Sequence, residues 1–301
     1  MIAGEYVGRH RRSGDTPAEA VPVVSAGGPA PTLIASDVDG TLIDDENCVS
    51  ARTMKVLESA RGSGVELVLA TGRPPRWIAE ITDQFGDSSP VRYAVCANGA
   101  ILYDVEHDHV MVTAALHPEA LELLVEHAYR VIPGCGMAAE RAGKSANDAA
   151  TAPFVATSGY RHAWLNPDHV EVGDDEVFAE PAVKLLVRQP EMRSSEMAER
   201  MNEVVGPLAQ VTYSTNNGLI ELSLPDTHKA SGLTALAALA ELDVSRVVAF
   251  GDMPNDAEML AWASHGVAMG NAHPAARAAA DEITVGNNDD GVALVLERWF
   301  G

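Results

Sequence analysis

The sequence predicts an α/β fold in which a parallel sheet, covered by helices on both faces, is interrupted by an inserted α+β module. Two patterns carry that expectation. Short, near-continuous apolar runs alternate with helix-period segments over residues 32–96 and again from residue 230 to the C-terminus, as expected of strands buried on both faces. Between them the pattern changes to alternating strands with a tight-turn signal, Asn216-Asn217-Gly218, which suits antiparallel pairing.

Residues 32–36 form a short apolar strand, and Ser50 is placed to cap a helix through Ala60 with Met54, Leu57 and Ala60 on one face. Gly62 and Gly64 end that helix. Residues 65–70 (VELVLA) make the next strand, broken by Thr71-Gly72-Arg73-Pro74. Residues 75–85 read as a second helix and residues 91–96 as a third strand, ending in Ala97-Asn98-Gly99-Ala100. Residues 100–114 look like a hairpin. In the insert, residues 118–131 are amphipathic, with Leu121, Leu124, Val125 and Ala128 at helical spacing. Residues 143–157 are rich in Ala, Ser and Asn without a period and predict a loop. Residues 183–187, 211–213 and 219–224 read as strands, with a helix marked by Met197, Met201 and Val204 after the first. The parallel pattern resumes with a helix over 230–242, a strand over 247–250, a helix over 255–263 and a strand over 266–269. Helices over 275–280 and 292–299 close the chain.

Composition narrows the function classes. A chain of 301 residues, 47% hydrophobic, suffices for one large domain or two moderate ones. A net charge of −22 and a pI near 4.7 disfavour a nucleic-acid groove or an anionic membrane surface. No apolar run approaches the ~20 residues of a membrane span. Cys48, Cys96 and Cys135 are too few and too scattered for a disulfide framework or a zinc site and predict a cytoplasmic setting. Residues 1–31 carry Arg9-His10-Arg11-Arg12 followed by many Pro, Gly, Ala and Ser, with no apolar segment of the secretory kind, and predict a disordered tail.

Three predicted strands end at their carboxyl side in polar signatures: Asp37-Val38-Asp39-Gly40-Thr41, Thr71-Gly72-Arg73, and Gly251-Asp252-Met253-Pro254-Asn255-Asp256. Open α/β sheets bind ligands outside the carboxyl ends of their strands, so the three can share one crevice. Four carboxylates there (Asp37, Asp39, Asp252, Asp256) repel one another, and a divalent cation with oxygen ligands, Mg²⁺, resolves the repulsion. An ionised carboxylate can attack phosphorus without a general base, and Mg²⁺ offsets the charge of an anionic phosphate ester. A second aspartate can protonate the leaving oxygen and then deprotonate water. Thr41 and Thr71 offer donors to phosphate oxygens, and Lys229 adds a fixed cation.

Asp37-Val38-Asp39-Gly40-Thr41-Leu42, Thr71-Gly72-Arg73, Lys229 and Gly251-Asp252-x-x-Asn255-Asp256 resemble, in order, the four motifs of the haloacid dehalogenase superfamily. The insert between the second and third motifs, with Asn98-Gly99-Ala100 before it, resembles the Cof-type subgroup with its α+β cap. The resemblance covers roughly residues 32–300. It implies a Rossmann-like parallel-sheet core (32–112 and 225–301), an inserted α+β cap (113–224), and Mg²⁺-dependent phosphatase activity on small phosphorylated metabolites, commonly sugar phosphates. It further implies Asp37 as nucleophile and metal ligand, and Asp39 as general acid/base with its backbone carbonyl on the metal. Asp252 becomes the other carboxylate ligand. Thr71, Gly72, Lys229 and Asn255 hold the phosphoryl group, and Asp256 orients metal-bound water or Lys229. The chain departs from the family pattern at Ala230, where Gly usually follows the lysine, and at Met253-Pro254.

A phosphomutase of the same family and a non-catalytic phospho-metabolite-binding protein remain alternatives, the second disfavoured because a binding module needs no nucleophile. No obligate protein partner is indicated. Asp44, Asp45 and Glu46 read as a solvated loop rim, Cys96 as a packed small hydrophobe, and Met192, Met197 and Met201 as core. Arg161, His162 and Trp164 are read as surface or packing residues of the insert.

Overall fold

The computed structural model describes residues 28–148, 152–162 and 169–301. The tail up to residue 27, residues 149–151 of the expected loop, and Trp164 lie outside the described residues.

The first segment runs β1 (Leu33–Ser36), α1 (Ala51–Gly62), β2 (Glu66–Ala70), α2 (Ala79–Thr82), β3 (Val91–Cys96), β4 (Ile101–Asp104) and β5 (His109–Thr113). Ser50 caps α1 by accepting a hydrogen bond from the Thr53 amide. Its buried face is Thr53, Val56, Leu57 and Ala60, one step round from the expected stripe, with Met54 only partly buried. The expected helix over 75–85 is broken into a 3-10 turn at Pro75–Trp77, the single turn of α2, and a further 3-10 segment at Asp83–Ser88 kinked at Gly86.

The insert carries α3 (Pro118–Val131), β6 (Gly136–Glu140), β7 (Phe154–Thr157), β8 (His169–Val172), α4 (Asp174–Val177), β9 (Lys184–Arg188), α5 (Ser194–Val205), β10 (Gln210–Thr212) and β11 (Leu219–Ser223). The end of the expected 143–157 loop is therefore a strand, β7, and β6 and β8 have no counterpart in the sequence reading. The last segment runs α6 (Lys229–Leu239), β12 (Val247–Gly251), α7 (Ala257–Trp262), β13 (His265–Ala268), α8 (Pro274–Ala279), β14 (Glu282–Ile283) and α9 (Gly291–Phe300). A 3-10 turn at Pro254–Asp256 precedes α7, so that helix starts two residues later than expected.

Two sheets result. The eight-stranded sheet has the order β14-β13-β12-β1-β2-β3-β4-β5. It is parallel from β14 to β3, with β4 and β5 added antiparallel as a hairpin. The six-stranded sheet has the order β10-β11-β9-β6-β7-β8 and is antiparallel except for the β7–β8 pair. Each sheet has its own core. The first gathers Ile34, Val68, Leu69, Val95, Val248, Phe250 and Leu296, with Cys96 fully buried among them. The second packs α3 and α5 on one face of the smaller sheet through Leu121, Leu124, Met197, Met201, Leu185 and Ile220, with Met192 partly buried against it. The opposite face of that sheet carries Glu140, Lys184 and Glu221, all buried.

Candidate active site

β12, β1 and β2 are adjacent parallel strands, so their carboxyl ends lie side by side. β1 is buried at every position and delivers Asp37 to that edge, where its amide donates to the Phe250 carbonyl at 3.0 Å. β12 delivers Asp252, and β2 delivers Thr71. The fourth element is the start of α6. His228 caps it: its Nδ1 accepts from the Ser231 amide, and its own amide donates to the Ser231 hydroxyl. Lys229 is thereby fixed as the first helical residue.

Lys229 is 1% exposed and is the hub of the site. Its Nζ donates to Asp37 Oδ1 and to Asp256 Oδ1, both at 2.6 Å. Burial opposes its charge, but Asp256 and Asp37 more than offset this and hold the ammonium above the ordinary lysine value. Asp256 is fully buried, and its Oδ2 accepts from the Asp252 and Met253 amides at 3.0 and 2.9 Å. One carboxylate thus orients the lysine and ties down the Asp252 turn. Burial, and then the charge of Asp256, push Asp37 well above the ordinary aspartate value, against the pull of Lys229. The same causes raise Asp252 to about 7.

Asp252 accepts from Thr41 Oγ1 at 3.1 Å and lies 3.4 Å from Asn271 Nδ2, which also donates to the Gly40 carbonyl at 2.8 Å. Gly40 has φ +74°, and a Cβ there would lie 2.6 Å from Asp252 Oδ2. Only glycine fits this turn, on backbone and steric grounds together. The turn sends Asp39 away from the buried cluster. Its side chain is 57% exposed and takes a bidentate hydrogen bond from Arg73, Nε to Oδ2 at 2.9 Å and Nη2 to Oδ1 at 2.7 Å. Arg73 also pairs with Glu80 at 3.0 Å. Asp37 and Asp39, two residues apart, therefore occupy opposite environments, one desolvated and one at the solvent edge.

Thr71 is fully buried; its hydroxyl oxygen accepts from the Arg73 amide, and its carbonyl accepts from the Asn98 amide. The Gly72 carbonyl accepts from Lys184 Nζ at 2.8 Å, which brings the smaller sheet onto this loop. Asn255, expected beside the phosphoryl group, directs its Nδ2 instead to Asn98 Oδ1 at 3.1 Å. Its own Oδ1 is buried without a partner among the described residues, and a carbonyl oxygen has the wrong polarity for a phosphate oxygen.

The structure thus gathers Asp37, Asp252, Asp256 and Lys229, with Thr71 and Gly72 on the adjoining loop and Asp39 at the rim. Sequence reasoning gave no role to Arg73, Asn98, Asn271, Lys184 or Glu221. Arg73 and Asn98 each follow a strand inside a turn that had been singled out, a signal that was present. Asn271, Lys184 and Glu221 carry no local mark. Asp44 serves its own loop by accepting from the Glu46 and Cys48 amides. His162 packs against Phe154, Tyr160 and His169, and the Arg161 carbonyl accepts from Arg188.

Oxygen atoms of Asp37, Asp252 and Asp256 lie within 4.8 Å of one another. Asp256 is fully buried and spends its oxygens on Lys229 and two backbone amides, whereas Asp252 is held only by Thr41 and the longer contact to Asn271, so Asp37 and Asp252 are the carboxylates best placed to take a cation. Burial first, and then the charge of Asp256, raise the pKa of both against the pull of Lys229, so their ionised forms lack full compensation from the protein. An all-oxygen donor set of this kind fits a hard divalent ion such as Mg²⁺.

A sequence-family model described as haloacid dehalogenase-like hydrolase matches residues 34–296. Two similar proteins are 5-amino-6-(5-phospho-D-ribitylamino)uracil phosphatases. YitU of Bacillus subtilis is 27% identical over 90% of this chain and 98% of its own. YbjI of Escherichia coli is 29% identical over 88% of this chain and 95% of its own. Among solved structures, a haloacid dehalogenase-like hydrolase from Bacteroides thetaiotaomicron superposes with TM-score 0.70 at 26% identity, covering 90% of this chain and all (100%) of that one. A subclass IIB sugar phosphatase shares the fold with TM-score 0.72 at 19% identity, covering 89% of this chain and 98% of that one.

Proposed function

Because the chain belongs to the haloacid dehalogenase-like hydrolases and is a phosphatase of that family, we propose that it hydrolyses small phosphorylated metabolites through an aspartyl-phosphate on Asp37, with Mg²⁺ as cofactor. Sugar and polyol phosphates are the favoured substrates, and the ribitylaminouracil phosphate of the two named relatives belongs among them. The observation that carries this reading is Lys229, buried between Asp37 and Asp256 at the carboxyl ends of β1 and β12. A buried ammonium positions the attacking carboxylate, and its third N–H can donate to a phosphoryl oxygen.

In this mechanism an Asp37 oxygen attacks phosphorus, and the bond to the ester oxygen breaks. Asp39 gives its proton to that leaving oxygen. It then takes a proton from water, which attacks the aspartyl-phosphate and returns Asp37 and free phosphate. Arg73 engages both Asp39 oxygens in this structure, so Asp39 turns out of that pair to reach the leaving oxygen, a rotation its exposed position permits. Asp37, Asp252 and the Asp39 carbonyl would hold Mg²⁺, which supplies neutralisation of the phosphate charge. Lys229, with the Thr71 hydroxyl and the Gly72 backbone, binds the phosphoryl oxygens. The module built on the smaller sheet, residues 113–224, acts as a cap over the core of residues 32–112 and 225–301 and excludes water.

Phosphate release is measured over a panel of sugar, polyol and nucleotide phosphates, including the ribitylaminouracil phosphate, with Mg²⁺ and with EDTA. Metal-dependent release from at least one sugar or polyol phosphate is expected. Metal-independent turnover, or isomerisation without phosphate release, would refute the proposal.

A further inference from the structure

The turn Ala97-Asn98-Gly99 follows β3 with three successive residues in the left-handed region, at φ +51°, +58° and +105°. Asparagine and glycine tolerate this conformation, but alanine is held there at a cost of about 1 kcal/mol. A Cβ at Gly99 would lie 2.3 Å from the His228 carbonyl, so the turn is packed directly beneath the start of α6 that carries Lys229. On its other side the Ala97 amide donates to the Arg73 carbonyl at 3.0 Å and the Asn98 amide to the Thr71 carbonyl at 2.9 Å. Strain of this kind persists only where the surroundings enforce it, and it concentrates at functional sites.

The Asn98 side chain joins this turn to the cap. Its Nδ2 donates to Glu221 Oε2 at 2.7 Å, and its Oδ1 accepts from Asn255 Nδ2 at 3.1 Å. The other Glu221 oxygen accepts from Lys184 Nζ at 3.0 Å, and Lys184 also holds the Gly72 carbonyl. Asn98, Lys184 and Glu221 are each 4% exposed. A carboxylate can only accept, so Glu221 obliges Asn98 to present its NH₂ to the cap and its carbonyl to Asn255. Asn255 must in turn present its NH₂ to Asn98. A cap residue thereby sets the amide polarity of two core residues through hydrogen bonds that run in one direction.

We propose that Asn98 is a positioning residue that couples seating of the cap to the geometry of the phosphate-binding loop. With Glu221 and Lys184 in place, the Thr71–Gly72 segment and the Pro254–Asp256 turn are held together through Asn98. When the cap lifts, Asn98 loses its Glu221 acceptor and the Gly72 carbonyl loses Lys184, so the side-chain polarity that ties the two segments is no longer enforced. The proposal rests on the phosphatase reading above for its activity readout.

The test uses the full chain with Mg²⁺ and an alkyl phosphate substrate, reading kcat and the inhibition constant for inorganic phosphate. Loss of folded protein lowers apparent kcat but does not shift that inhibition constant. Asn98→Asp sets a carboxylate against Glu221, and about a 100-fold loss of kcat with about tenfold weaker phosphate inhibition is expected. Glu221→Gln keeps shape but forces the chain to invert or to release Lys184, and weakens phosphate inhibition several-fold. Combining the two restores an NH₂ donor against a carboxylate acceptor and returns Asn255 to its original polarity. The double variant is expected to recover to within about tenfold of wild type, a strongly non-additive result. A double variant no better than Glu221→Gln alone would overturn the proposal, as would an unchanged inhibition constant in both single variants. The comparison of Glu221→Gln with the double variant stands even if Asn98→Asp alone does not fold. A wild-type protein that releases no phosphate from any ester would defeat the phosphatase reading, whereas an active wild type without recovery would defeat only the coupling.

Discussion

Asp252→Asn should make the metal-free protein more stable while removing its activity. Asp252 is 6% exposed, and burial with the nearby Asp256 charge raises its pKa from 3.8 to about 7. That difference corresponds to about 4 kcal/mol favouring the protonated carboxyl in the fold. The sign follows from linkage. A group with a raised folded-state pKa contributes stability that is full below its unfolded pKa and is lost as pH rises through the folded value. Metal-free wild type should therefore lose stability between about pH 4 and pH 7 and carry the whole deficit at pH 8. An amide at this position cannot ionise and escapes the deficit. It still accepts from Thr41 through its oxygen, but its NH₂ replaces the acceptor near Asn271, at a cost of about 1 kcal/mol. The net expectation is a variant about 3 kcal/mol more stable than wild type at pH 8 in EDTA, with the gap closing toward zero by pH 5. Urea denaturation at the two pH values measures it, and Mg²⁺ should stabilise wild type but not the variant. A variant less stable than wild type at pH 8, or a gap independent of pH, would refute the reasoning.

Asp37→Asn should abolish phosphoenzyme formation and lower turnover by about 10,000-fold or more, while the circular-dichroism spectrum is unchanged; residual turnover near wild type would show a different nucleophile. Asp39→Asn should cost about 100-fold with alkyl phosphates but far less with a nitrophenyl phosphate, whose leaving group needs no proton; equal losses would remove Asp39 from that role. Arg76→Leu strands Glu140, whose partner at 2.5 Å it is and which is 5% exposed. A loss of about 3 kcal/mol in denaturant titration is expected, and a change below about 1 kcal/mol would show that Glu140 is compensated elsewhere.

Most of the larger sheet was legible because β1, β2, β3 and β12 are buried on both faces and so read as continuous apolar runs. The sites at their ends were legible because a buried strand that stops at an aspartate needs a partner for the charge. The smaller sheet was harder to read. β6 is Gly-Met-Ala-Ala-Glu, with no residue of strong strand preference. Its state is imposed by β7 and β9 on either side and by the approach of Gly136 to Gly159, where a Cβ would lie 2.4 Å from backbone. β8 is mostly exposed and, among the described residues, pairs only with β7. The segment over 75–85 has helical spacing, but it folds as the single turn of α2 between two 3-10 segments. Glu221 meets Asn98 across 123 residues of sequence. No local pattern marks such a pair, because its meaning arises only when two separately folded sheets come together.

The chemistry of that meeting bears on how the cap moves. Lys184 and Glu221 both belong to the smaller sheet, so they stay paired when it lifts and simply regain water. Arg76 and Glu140 belong to opposite sides and separate, yet each is a charged group that water solvates well. Buried ion pairs add little net stability because desolvation opposes their attraction. An interface built from them closes in one register, since a misplaced charge is costly. Most of the apolar area of the smaller sheet lies on its other face, under α3 and α5, while a smaller cluster of Ala138, Phe154, Ala156, Tyr160, Leu186 and Leu219 shares the face of Lys184 and Glu221. As a cap, the module would keep the core beneath α3 and α5 when it lifts. Opening would break the polar tie through Lys184, Glu221 and Asn98 and the Arg76–Glu140 pair, and would part Val183 from the core of the larger sheet.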